Sequence, residues 1–140
     1  MCSVSHPVSD MSPTNIYEAL AAFDEIYSPR IVNRVNDYHV KIAHASGDHV
    51  WHAHPETDEF FLVLDGEFTV AWRGTDGVVT EVVLAKGDTF VVPRGVQHKP
   101  SSRGGSILMF EPVGTASTGD VDEDDLPAHL SRSTGLEPAN

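Results

Sequence analysis

The chain is poor in several things that would otherwise define it. Its 140 residues include one cysteine, Cys2. An intramolecular disulfide is therefore impossible, and the fold must rest on burial and hydrogen bonding, as in proteins of a reducing compartment. Positive charge is scarce: 9 Lys and Arg stand against 21 Asp and Glu, for a formal net charge of −12. Nucleic acids and anionic membrane surfaces are bound through basic patches, so neither is an expected partner. No run of about 18 apolar residues occurs, so no helical membrane span is expected. The opening Met-Cys-Ser-Val-Ser-His-Pro has neither a charged start nor an apolar stretch behind it, so no secretory leader is read there. Together these absences predict a cytoplasmic protein. Also missing is any repeat with a period of about 20–50 residues, which argues against solenoids and propellers.

What is present is a single domain's worth of chain with a change of period near its start. Residues 1–12 are polar and predict an unordered tail, in which Met11 offers a second start and Cys2 a bystander thiol. Ser12-Pro13 reads as a helix N-cap followed by proline at the first helical position. Ile16, Leu20, Phe23 and Ile26 recur at helical steps, so an amphipathic helix is expected from Pro13 to about Ile26. It would lie on the body of the domain or on a partner subunit. From Arg30 the period becomes two. Short strands are expected at Arg30–Val35, Tyr38–Ala45, His49–His54, Glu59–Leu64, Glu67–Trp72, Val78–Leu84, Thr89–Val92, Gln97–Pro100 and Ser106–Phe110, with Asp65-Gly66 read as a hairpin turn. Closely spaced strands without intervening helices predict an all-β sandwich or barrel rather than a parallel sheet. After Pro112 the composition turns small, polar and acidic, so 114–140 reads as a tail around a body spanning 13–113.

One stretch carries chemistry. His52 and His54 are two residues apart, and on a strand both imidazoles leave the same face. Glu59 opens the following strand after a Pro-Glu-Thr-Asp turn. Two neutral nitrogens and one hard oxygen suit a divalent first-row metal. Glu56 and Asp58 are alternative carboxylates, although Asp58 has the opposite parity to Glu59 and Glu56 sits in the turn. Parity turns Val50 inward with the two histidines and points His49, Trp51 and Ala53 outward. His44 and His49 are candidate supporting or gating residues, and His6, His39 and His129 are read as surface. Phe61 shares the face of Glu59 and so would line a cavity. Tyr38, Trp72 and Met109 are candidates for core packing or cavity lining.

A second stretch, Gly87-Asp-Thr-Phe-Val-Val-Pro-Arg-Gly-Val-Gln-His98, answers the first. Together the two resemble the paired motifs of the cupin superfamily. His52, His54, Glu59 and Gly66 match the first motif, and Gly87, Pro93, Gly95 and His98 match the second. There are two departures. Gly47 stands one residue closer to His52 than the motif has it, and Ser102 occupies the place of the usual Asn. Neither is a ligand position. The resemblance, to a small single-domain cupin of the cupin 2, mannose-6-phosphate isomerase-like type, implies a double-stranded β-helix, or jelly-roll barrel, with a short N-terminal helix. It also implies a metal set of His52, His54, Glu59 and His98. Pro93-Arg94-Gly95 reverses the chain just before His98, which would bring that imidazole in from the opposite sheet.

Three nitrogens and one oxygen on apolar walls fit Fe, Mn, Ni, Co or Zn better than Ca or Mg, which prefer oxygen cages. Four protein ligands would leave positions open for a small molecule. The resemblance implies either an enzyme (a dioxygenase, or an isomerase or lyase, with Glu59 doubling as a base) or a metal-dependent module that binds a small ligand without turnover. A homodimer is the expected assembly, since the edge strand Arg30–Val35 needs covering.

Overall fold

The computed structural model of the protein describes residues 11–137. Residues 1–10 of the expected N-terminal tail, with Cys2 and His6, and residues 138–140 lie outside them. One helix, α1 (Ile16–Ala21), precedes six strands: β1 (Arg30–Val35), β2 (Tyr38–Asp48), β3 (Glu59–Arg73), β4 (Val79–Ala85), β5 (Thr89–Val92) and β6 (His98–Pro112). The strands pair antiparallel in the order β1-β2-β6-β3-β4, with β5 also on β3. The all-β jelly-roll expectation holds, short N-terminal helix included.

Six strands replace the nine expected because two pairs are continuous and the expected His49–His54 strand is reduced to a single bridge. Asp65-Gly66 does not turn the chain back. It bends one 15-residue strand, β3, whose first half pairs with β5 and whose second half pairs with β4. The matching bend in β6 falls at Gly104-Gly105, and Gly66 pairs with Gly105 where the register slips. A Cβ on Gly66 would collide with the Gly104 carbonyl, so the two backbones touch there as only glycines allow. Ser102, in place of the motif's Asn, donates its hydroxyl to Glu67 O at 2.6 Å and accepts the Gly104 N–H at 3.0 Å. The loop's side-chain bonds are thus kept by a smaller residue.

The helix starts later than Ser12-Pro13 suggests. Asn15 caps it, accepting the Glu18 N–H at 3.0 Å, and Asn15-Ile-Tyr-Glu18 has the spacing of a capping box. It also ends sooner. The carbonyls of Leu20 and Phe23 are both taken by His44 Nε2, at 2.8 and 2.9 Å, so this imidazole serves the helix end and not the barrel interior.

Alternation along β2 divides the core in two. Val40 and Ile42 face outward and pack with Leu20, Val32 and Leu64 beneath α1. The helix therefore lies on the barrel wall. Ala43 and Ala45 face inward with Phe61, Val63, Phe68, Val70, Ile107 and Met109, forming the barrel interior. The segment after β6 closes over one end. Ala116 and Leu130 are buried, Thr118 is fully buried, and Leu136 exchanges backbone hydrogen bonds with Pro29 and Ile31 beside β1.

Candidate metal centre

Residues 49–54 do not form a ladder strand. One bridge holds them: His52 and His98 exchange both backbone hydrogen bonds, each at 2.9 Å. That single pair sets the two imidazoles side by side, with ring centroids 4.4 Å apart. Gly95 N–H donates to His54 O at 2.9 Å, which ties the Pro93-Arg94-Gly95 turn across the same gap. Glu59 comes from the first position of β3, held in register opposite Val92 of β5.

The structure brings His52, His54, Glu59 and His98 together. All four are buried, and one ligand atom from each lies within 4.8 Å of all the others. Glu59 Oε2 is 3.0 Å from His54 Nε2, and Glu59 Oε1 is 3.1 Å from His98 Nε2. Two ligands held at right angles on one ion, at bond lengths of about 2.1 Å, would sit about 3.0 Å apart.

The tautomers sharpen this. His52 Nδ1 lies 2.8 Å from Val50 O, and His98 Nδ1 lies 3.0 Å from Val96 O. A carbonyl only accepts, so each Nδ1 must donate, which in a neutral ring leaves Nε2 with a lone pair directed at the cluster. His52 Nε2 is buried without a partner, and so is His54 Nε2, whose approach to Glu59 is too poorly aligned for a hydrogen bond. A neutral His98 presents a lone pair to a carboxylate oxygen that is itself an acceptor. Buried acceptors facing acceptors are costly unless a cation lies among them. The donor set fits a divalent transition metal.

Proton affinities point the same way. Burial, and then the neighbouring His98, pushes His52 down to about 3, so it is neutral and free to ligate near neutral pH. Burial opposes the charge on Glu59, but the adjacent His54 and His98 imidazoles hold it well below the usual carboxylate range. Burial acts to lower His54 as well, yet the Glu59 carboxylate leaves it raised.

The alternative carboxylates stay outside the cluster. Glu56 is exposed, and Asp58 accepts the Arg94 N–H at 2.9 Å from an exposed position. Parity gives the wrong face for two residues. His49 is buried, its ring 4.9 Å from that of His52 and edge-on to Tyr27 at 5.0 Å. Ala53 is buried too, because the Asp120 carboxylate accepts its N–H at 2.9 Å and the Asp120 N–H returns to its carbonyl at 3.0 Å. Without a strand ladder over 49–54, alternation does not govern these positions. Trp51 does point away, under the Arg73 guanidinium at 4.4 Å.

A cavity opens beside the cluster. It is lined by His49, His52, Glu59, Phe61, Phe68, Met109 and Glu111 among others, and its empty volume is about 430 Å³, counting the part open to solvent. Phe61 and Met109 line it, as the sequence allowed, whereas Tyr38 stacks on Phe110 outside. Sequence reasoning passed over Glu111 and its partner Lys41, whose Nζ lies 2.8 Å from Glu111 Oε2. The available signal was a lysine between apolar neighbours on β2 and a glutamate at inward parity near the end of β6. Burial, and then the charge of Glu59, raises Glu111 above the ordinary carboxylate range against the pull of Lys41.

This barrel and this cluster define a small β protein with a buried nitrogen-rich site. The family model described as "Cupin domain" matches residues 38–111, and the chain belongs to that family. It is 34% identical over 71 residues to the uncharacterized protein YdbB of Bacillus subtilis, a match covering 51% of this chain and 59% of that protein's length. It also resembles a solved cupin-2 domain containing protein from Shewanella frigidimarina, at 34% identity and a TM-score of 0.66, over 71% of this chain and 93% of that one. A hydroquinone 1,2-dioxygenase from Sphingomonas sp. TTNP3 shares the fold at 20% identity and a TM-score of 0.58, over 70% of this chain and 71% of that one.

Proposed function

We propose that this cupin binds one divalent transition metal, of the Fe, Mn, Ni, Co or Zn group, through His52, His54, Glu59 and His98, and acts there on a small molecule. The observation that carries the reading is the convergence of three buried imidazoles on one buried carboxylate, with Nδ1 of His52 and of His98 committed to carbonyls and Nε2 of His52 and of His54 left without a partner. A metal so held supplies Lewis acidity or a site for dioxygen, which suits dioxygenase or isomerase and lyase chemistry. The chain's own part is to orient the imidazoles, supply one negative charge through Glu59, and keep bulk water off with Phe61, Phe68 and Met109. Glu59 serves as a base only when released from its two histidines, since they keep its proton affinity low.

Metal-dependent binding without turnover is the second reading, favoured by one observation. The Tyr27 hydroxyl at the cavity wall is spent on Gly47 O at 2.6 Å, which leaves few free groups for proton transfer. The same proposal places the protein in a reducing cytoplasm, without nucleic-acid or membrane partners, as a homodimer. Leu136 already covers part of the β1 edge, so pairing through that edge would use Asn33–Val35.

Elemental analysis of untagged protein tests the metal directly. About one equivalent is expected, with His52→Ala and His98→Ala stripped of it. Full metal content in both variants would refute the site. Oxygen uptake across a panel of diketones and keto acids then separates enzyme from binder.

A further inference from the structure

The cavity holds a second carboxyl group that neither the fold nor the four-residue cluster uses in full. Phe60 pairs with Phe110, so the next residues outward, Glu59 and Glu111, stand beside each other on adjacent strands. Ile107, Met109 and Glu111 alternate along β6 and all line the cavity. Glu111 Oε2 accepts from Lys41 Nζ at 2.8 Å, and that ammonium also donates to Thr115 O at 3.1 Å, fixing the carboxyl from behind. Glu111 Oε1 is buried with no partner among the described residues. Lys41 is 0% exposed and Glu111 3%.

An ion pair this far out of water is a poor stabiliser beside an apolar pair of the same size. An acceptor left unmatched adds to the cost. The surrounding wall of Phe61, Phe68, Ile107 and Met109 offers Oε1 nothing. A placed acceptor against an apolar wall is how a binding site fixes the orientation of a small molecule.

We infer that Glu111 Oε1 orients the ligand. The cavity takes a neutral, largely apolar molecule that presents an O–H or N–H donor to Glu111, and it rejects one that presents a carboxylate or phosphate there. This rests on the small-molecule reading of the metal centre and narrows its substrate class. Held by the Lys41 ammonium as a carboxylate, Glu111 can only accept, so a ligand lacking a donor leaves Oε1 unpaired against an apolar wall. An anionic group would meet the charges of both Glu111 and Glu59.

Phenol, anisole and benzoate are the probes, titrated into the protein as purified, with binding followed by ligand-observed NMR and metal content measured on the same sample. Phenol should bind roughly 10–100-fold more tightly than anisole, the worth of one hydrogen bond to a charged group. Benzoate should bind more weakly than phenol. Combining Lys41→Met with Glu111→Leu removes both charges together, and should bring anisole level with phenol while the metal stays. If that variant does not fold, Glu111→Gln alone should shrink the phenol preference. Equal affinity for phenol and anisole in the wild type, a phenol preference untouched by the variants, benzoate as the best ligand, or no binding by any probe would each overturn the inference. The metal assay keeps the two readings apart. Metal held without discrimination fails this inference alone, whereas discrimination through Glu111 in protein holding no metal fails the metal centre alone.

Discussion

Burial of an ionisable ring makes folding depend on pH, and His49 is the cleanest instance in this chain. Desolvation pushes it from the ordinary imidazole value of 6.5 down to about 4. The unfolded chain therefore takes the proton first as pH falls. The contribution to stability is complete above pH 6.5 and is lost progressively as pH falls toward 4. Metal-free wild type should lose roughly 2–3 kcal/mol relative to His49→Phe between pH 7.5 and pH 4.5 in urea unfolding. Parallel curves for the two proteins would show that His49 is not held neutral by the fold. His52 and His54 were legible in the sequence by their two-residue spacing, and Glu59 and His98 by their places in the paired cupin motifs. His49 was not, because the missing ladder over 49–54 leaves its orientation to contacts with Tyr27 and His52, which are remote from any local pattern. Glu111 was hidden for a different reason. Its meaning depends on standing beside Glu59, which is 52 positions earlier in the chain and becomes its neighbour only through strand pairing.

The bent strands are the elements that place the site. β3 carries Glu59 at one end and pairs Trp72 with His98 near the other, so its bend sets how the two halves of the cluster meet. The Asp-Gly signal at 65–66 marked the right place but the wrong event. A positive-φ glycine serves a bulge as readily as a hairpin, and only the continuous partner strand decides between them. Gly105 measures how tight this joint is. A Cβ there would lie 2.7 Å from both Asp65 O and Glu67 O, backbone atoms that cannot rotate aside. Gly105→Ala should cost about 1–3 kcal/mol by overpacking, read from thermal or urea unfolding. Gly87→Ala is the matched control. Its Cβ meets nothing within 4 Å, so only the strain of a left-handed backbone at φ +89° applies. A Gly105→Ala protein as stable as wild type would mean that β3 and β6 are not in close contact at the bend.

At the scale of the molecule, the polar segment after β6 belongs to the working structure. Its composition reads as a tail because few of its residues are apolar, yet those few are spent well. Ala116 and Leu130 go into the barrel end, and Leu136 bonds alongside β1. Between them, Asp120 grips both backbone groups of Ala53, the residue separating His52 from His54. Gly119 lies so close that a Cβ there would stand 2.9 Å from His52 Cδ2. Composition cannot report such contacts, since each is made by backbone or by a single side chain meeting a partner far along the chain. A chain ending at Val113 should therefore melt at lower temperature, by at least the worth of burying Leu130, about 1.5–3 kcal/mol. It should also hold its metal more weakly, by roughly 10–100-fold, because the groups that orient His52 and His54 lose their support. Competition with a chromophoric chelator measures the second effect at a temperature where the shortened protein is still folded. Unchanged metal affinity there would mean that the segment seals the barrel without holding the metal centre in shape.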